Sequence, residues 1–205
     1  MLSHPLPLIG PIMTNSTPFK RSFSVCVYCG SRDGLDPAYA QAATDCGTML
    51  ARNGWRLVYG AGDVGLMGRV ARAAQAGGGD TFGVIPQHLL DWEVGKTDLT
   101  TFIVTETMHE RKKVMLMNAD AVVVLPGGAG SMDELFEALT WRQLGLHAKP
   151  IFVLNQNGYW DPLLALMDQI IDQGFADASL RDFLTVVPDV DTLTTDLAAV
   201  RASAS

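Results

Sequence analysis

The segment Pro126-Gly127-Gly128-Ala129-Gly130-Ser131 follows an apolar run and leads straight into a helical pattern. Three glycines let backbone amides turn into one concavity, and a helix N-terminus adds unpaired N–H groups and a partial positive charge. Together these suit a phosphate. No Gly-Lys-Ser/Thr follows, which disfavours nucleoside triphosphate hydrolysis. Glu134 stands three residues beyond Ser131. Ser-x-x-Glu is also the pattern of a capping box, in which the Glu merely satisfies the backbone, and Thr107-x-x-Glu110 repeats it one helix earlier. What favours chemistry at Glu134 is position: a carboxylate in the first turn beyond a phosphate loop reaches whatever the phosphate carries. His109-Glu110-Arg111-Lys112-Lys113 opens the preceding helix, where cations oppose the macrodipole. That conflict points to an anionic ligand or a partner carboxylate for Arg111 and Lys112. Lys113 falls to solvent, because successive helix residues point about 100° apart.

Gly60-Ala61-Gly62-Asp63-Val64-Gly65 matches GxGxxG between a strand and a helix. A dinucleotide site needs an acidic residue at the end of the next strand to hold the ribose. Asp80 lies at that strand's wrong end, so the glycines are read as backbone that approaches a nucleotide or sugar closely. Cys26-x-x-Cys29 falls inside an apolar strand, where residues three apart point to opposite faces, and both are expected to be buried small residues. His4, His88, His109 and His147 are scattered without ligand spacing, so no metal site is expected.

The elements that must position these groups alternate along the chain. Strands are expected at 24–29, 56–59, 81–85, 101–104, 121–125 and 151–154, and helices at 37–53, 66–76, 108–118, 132–144 and about 161–173. A short apolar segment at 186–187 and a polar, Ala-rich end at 191–205 follow. Strands apolar along their whole length imply burial on both faces, and their alternation with helices implies right-handed crossovers. The expected fold is α/β: a single doubly wound, Rossmann-like domain over 23–190, with a central parallel sheet flanked by helices. Ligands bind such sheets beyond the carboxyl ends of the strands. The glycine-rich turns after strands one, two and five are therefore where chemistry belongs.

The chain has 205 residues, 48% of them hydrophobic, with a net charge of −7. That composition supports a substantial core and supplies no basic stripe for nucleic acid. No apolar run approaches a membrane span. The first 22 residues, rich in Pro, Ser and Thr, lack the form of a signal peptide and are expected to be a mobile tail. Three cysteines cannot build a disulfide framework, which suits a reducing, cytoplasmic setting.

Four segments, in this order, resemble the LONELY GUY family of phosphoribohydrolases. They are Cys29-Gly30-Ser31-Arg32, the run Gly60 to Gly68, Met108-His109-Glu110-Arg111-Lys112, and Pro126-Gly127-Gly128-Ala129-Gly130-Ser131-Met132-Asp133-Glu134. The resemblance runs from about Phe23 to Phe175. It implies hydrolysis of the N-glycosidic bond of a nucleoside 5′-monophosphate, without a cofactor, to free base and ribose 5-phosphate. It also implies that Arg111 and Glu134 are the catalytic pair, and that the substrate is held by Glu93, Lys112, Gly127, Gly128, Gly130, Ser131, Ser31, Gly60, Gly62, Met67 and Thr140. Ala61 stands where the family has Gly, adding a methyl where backbone would approach ligand, and Ser131 stands for Thr but keeps the hydroxyl. The alternative from another class is a nucleotide or molybdenum-cofactor carrier on the same fold. The family further implies a homodimer. Independent support comes from the long segment 86–100, with Leu89, Leu90, Trp92 and Leu99, and from the apolar surplus of the helix carrying Met108, Val114, Met115, Leu116 and Met117.

Overall fold

β-branched and aromatic residues fill short segments that helices separate, and burial on two faces turns each segment into an inner strand. The structure, a computed structural model, describes residues 22–90 and 95–203. Among them are seven strands: β1 (Ser24–Tyr28), β2 (Arg56–Tyr59), β3 (Thr81–Pro86), β4 (Thr101–Thr105), β5 (Ala121–Val124), β6 (Ile151–Leu154) and β7 (Thr185–Val187). All six neighbouring pairs are parallel, in the order β4-β3-β2-β1-β5-β6-β7. The chain builds outward from β1 in one direction, then returns to β5 and builds outward in the other. The order therefore reverses between β1 and β5, which is where such sheets open a crevice.

The helices are α1 (Pro37–Arg52), α2 (Gly65–Ala76), α3 (Gln87–Leu90), α4 (Met108–Met117), α5 (Ala129–Gln143), α6 (Asp161–Asp172) and α7 (Val190–Ser203). Alternate strand residues face opposite layers. Val25, Val27, Leu57, Tyr59 and Val123 pack with α1, α2 and α7, whereas Cys26, Tyr28, Val58, Val122 and Val124 pack with α4, α5 and α6. Cys26 and Cys29 accordingly lie in opposite cores, both buried. Asp36 caps α1 by accepting from the Ala38 amide at 2.9 Å, with Pro37 at the first helical position. Gly47 admits α2 at close range, since a Cβ there would come within 2.2 Å of the Val70 carbonyl oxygen.

Two element boundaries and one packing differ from expectation. The polar, Ala-rich end holds a helix that was not expected: α7, to Ser203, buries Leu193 and Leu197, spaced four apart, against the sheet. α5 begins three residues early, at Ala129, because the glycines that make the turn also open the helix. In segment 86–100, Leu99 packs against the monomer's own core. Trp92 lies outside the described residues, as do residues 1–21 of the expected tail.

Candidate active site

At the β1–β5 reversal, three chain turns are tied together by backbone. The Gly30 amide donates to the Pro126 carbonyl at 3.0 Å, and the Met67 amide donates to the Gly30 carbonyl at 3.3 Å. These bonds join the end of β1, the loop after β5 and the first turn of α2 around a cavity of about 740 Å³. Its lining includes Ser31, Gly60, Met67, Arg111, Gly127, Gly128, Gly130, Ser131 and Glu134. All nine are residues the sequence singles out.

The phosphate-type loop has the geometry its composition implies. Gly128 is the N-cap of α5, and no side chain caps the helix. The amides of its first turn lack intrahelical acceptors and carry the positive end of the macrodipole into the cavity. Ser131 therefore does not form a capping box with Glu134; it sits inside the helix, buried, whereas Thr107 and Glu110 do form one at α4. Gly127 is required by contact: a Cβ there would fall 2.1 Å from the Ser131 Oγ. On the outer side, the Tyr159 hydroxyl donates to the Gly127 carbonyl at 2.6 Å and fixes the loop's height.

Arg111 projects from α4 toward the ends of β2 and β3. Its Nε donates to the Val84 carbonyl at 3.1 Å and its Nη2 to the Gly60 carbonyl at 2.6 Å, while Nη1 meets, among the described residues, only the Met108 sulfur at 3.8 Å. The side chain is thus buried and oriented by backbone carbonyls, with Nη1 left for a ligand. Gly60 is the cause of that fit, since a Cβ there would lie 2.0 Å from Nη2. Glu134 is half-buried, and desolvation pushes its carboxyl up to about 7 against the opposing pull of Arg111. Asp133 and Glu137 add to the rise, and Lys112 lowers it. At neutral pH it is poised between acid and base.

Other expected residues fall elsewhere. Lys112 is buried between α4 and α5, its Nζ 2.9 Å from both Asp133 Oδ2 and Glu137 Oε2, and it does not line the cavity. Burial disfavours its charge, but the two carboxylates outweigh that and raise its pKa. The carboxylates expected opposite this basic turn are thus met by Lys112, whereas the cavity is met by Arg111. Gly62 pairs by backbone with Gly95, and Thr140 is exposed on the far half of α5; neither lines the cavity. Glu93 lies outside the described residues. Ala61 adopts φ +58° and is fully buried, its methyl set against Gly83, so it does not meet a ligand in the cavity as expected. Sequence reasoning missed Tyr159, although Asn157-Gly158-Tyr159-Trp160 belongs to the resembling stretch.

A family model described as "Possible lysine decarboxylase" matches residues 67–197. A probable cytokinin riboside 5′-monophosphate phosphoribohydrolase of Oryza sativa subsp. japonica is 42% identical over 179 residues, 87% of this chain and 78% of that one. A cytokinin riboside 5′-monophosphate phosphoribohydrolase of Arabidopsis thaliana is 40% identical over 183 residues, 89% of this chain and 79% of its own length. Among solved structures, the molybdenum cofactor binding protein of Rippkaea orientalis superposes with a TM-score of 0.68 at 19% identity, covering 88% of this chain and 98% of that one. That likeness is one of fold.

Proposed function

The chain belongs to the LONELY GUY family, and on that premise we propose that it is an N-glycosyl hydrolase acting on nucleoside 5′-monophosphates. The substrate class is the cytokinin riboside 5′-monophosphates in its relatives' names, together with AMP. The observation that carries this function is the meeting, in one cavity, of an uncapped helix start, an oriented arginine and a carboxylate with its pKa near 7.

The 5′-phosphate sits on the first-turn amides of α5, held by Gly127, Gly128, Gly130 and Ser131. Binding energy from this non-reacting group fixes the ribose for attack. As the C1′–N bond breaks, positive charge develops on the ribose ring, as in glycoside hydrolysis. Ionised Glu134 stabilises that charge and takes the proton of the water that adds to C1′. The base leaves with the bonding pair and takes a proton from solvent, and Glu134 returns its proton to solvent, so that the water's OH ends on C1′ and an H on the base. Arg111, held by the Gly60 and Val84 carbonyls, keeps Nη1 for a ribose hydroxyl or the phosphate and favours the ionised form of Glu134. Lysine chemistry has no footing here: the described lysines, Lys96, Lys112, Lys113 and Lys149, all lie outside the cavity lining.

The buried free cysteines and the net charge of −7 support a cytoplasmic protein without nucleic-acid partners. Apolar residues exposed on α4 and α5 support a homodimer.

Chromatography of products from a panel of nucleoside monophosphates and nucleosides tests the function. Monophosphates should yield free base and ribose 5-phosphate, with kcat/KM at least about tenfold above the matching nucleosides. Equal efficiency on adenosine and AMP would remove the phosphate cradle. Binding of nucleotides without release of any base would favour the carrier.

A further inference from the structure

Arg32 is a cation on the cavity lining that the scheme above leaves unused. Its neighbours are engaged. Asp33 takes both arms of Arg69 at 2.8 Å, and Asp36 accepts from the Ala38 amide and from Asn157 Nδ2 at 2.8 Å. Arg111 gives Nε and Nη2 to two carbonyls and keeps only Nη1 for a ligand, and Lys112 is held by two carboxylates. The Arg32 guanidinium, by contrast, is exposed and has no hydrogen bond or ion pair among the described residues. Its backbone is nevertheless held firmly. The Gly30 amide is bonded to Pro126, and Gly65, at φ +57°, packs so closely that a Cβ would come within 2.3 Å of the Arg32 nitrogen. The stem is therefore anchored beside the phosphate loop while the head is free to fold onto a ligand.

A helix N-terminus offers about half a positive charge, and a nucleotide phosphate carries up to two negative ones. With Arg111 tied to backbone through two of its three nitrogens, Arg32 is the cation on the lining with its whole guanidinium left to meet the remaining charge. We propose that Arg32 is a specificity-determining residue that closes over the 5′-phosphate and separates monophosphates from nucleosides. This rests on the function proposed above. The guanidinium fork suits two phosphate oxygens, and its exposure keeps the free state hydrated and the gain moderate.

The test compares wild type, Arg32→Ala and Arg32→Lys, by calorimetric binding of ribose 5-phosphate and by kcat/KM on AMP and adenosine. Arg32→Ala should weaken ribose 5-phosphate binding about 10- to 30-fold and lower kcat/KM on AMP by a similar factor, leaving adenosine unchanged. Arg32→Lys should recover part of the loss, and added salt should narrow the gap between wild type and Arg32→Ala. Binding of ribose 5-phosphate within twofold of wild type in Arg32→Ala would overturn the proposal, as would an equal loss on AMP and adenosine. If wild type cleaves no monophosphate, hydrolysis itself fails, and the ribose 5-phosphate titration still decides the role of Arg32.

Discussion

A carboxylate in the first turns of a helix should be comfortable, because the macrodipole favours it. Glu134 is not: loss of water at the cavity wall outweighs both the dipole and Arg111 and lifts its pKa from 4.5 to about 7. The folded protein therefore binds this proton more tightly than the unfolded chain. Below about pH 4.5 both states hold it and the group contributes nothing. As pH rises from there to 7, the unfolded chain ionises while the folded protein keeps its proton, so stability falls, and above 7 the loss is complete. Glu134→Gln, fixed neutral with the same shape, should stabilise the protein by about 1 to 3 kcal/mol at pH 8 and by little at pH 5. The same substitution should lower kcat at least about 100-fold, the scale of a lost general base or charge stabiliser. Thermal melts at the two pH values and assays on AMP check both halves. Stabilisation with full activity would make Glu134 a bystander, and wild-type kcat should itself rise through pH 7 as the carboxyl ionises.

At the scale of elements, the site is an agreement among turns. Gly60 follows β2, Arg111 rides on α4, and they are 51 residues apart, yet the glycine's missing side chain is the space the guanidinium occupies. Gly60→Ala should therefore displace Arg111 and cut kcat/KM by tenfold or more, with a stability loss of about 1 to 3 kcal/mol from overcrowding. Gly78→Ala, at an exposed positive-φ turn where a Cβ meets nothing within 4 Å, serves as control and should lose only stability. Activity of Gly60→Ala equal to that control would dissolve the link. Such a pair explains what was legible in sequence. Gly60 could be marked as close-approach backbone from its place after a strand, but which group approaches depends on β2, β3 and α4 being assembled. The strands were legible because burial on both faces leaves an unbroken apolar run. The start of α5 was not, since Gly128, Ala129 and Gly130 have the composition of a loop although the helix already begins at Ala129. α7 was hidden because Thr and Asp surround Leu193 and Leu197, and that four-residue spacing was its one signal.

For the whole molecule, strand order places the cavity at the β1–β5 reversal, and seven parallel strands leave the helices of each face to cover it. On one face that covering is apolar beyond what the sheet needs. α4 buries Met115 and Leu116 but leaves Met117 64% exposed, and α5 exposes Met132 and Thr140, with Leu144 following at its C-cap. Leu144 is 69% exposed, with Leu146 beside it at 66%. The two helices are neighbours, stapled by Lys112 to Asp133 and Glu137, so their exposed residues belong to one side of the protein. Thr140, absent from the cavity of its own chain, lies on this stripe. A surface of this kind is covered most economically by its own copy, because a two-fold axis sets each patch against itself. Sedimentation at micromolar concentration should give a species near twice the 22.1 kDa of one chain. Met117→Glu combined with Leu144→Glu should shift it toward the single-chain mass, since four like charges would then meet across the axis. A wild-type protein sedimenting near 22 kDa would leave these side chains to solvent and end the case for a dimer.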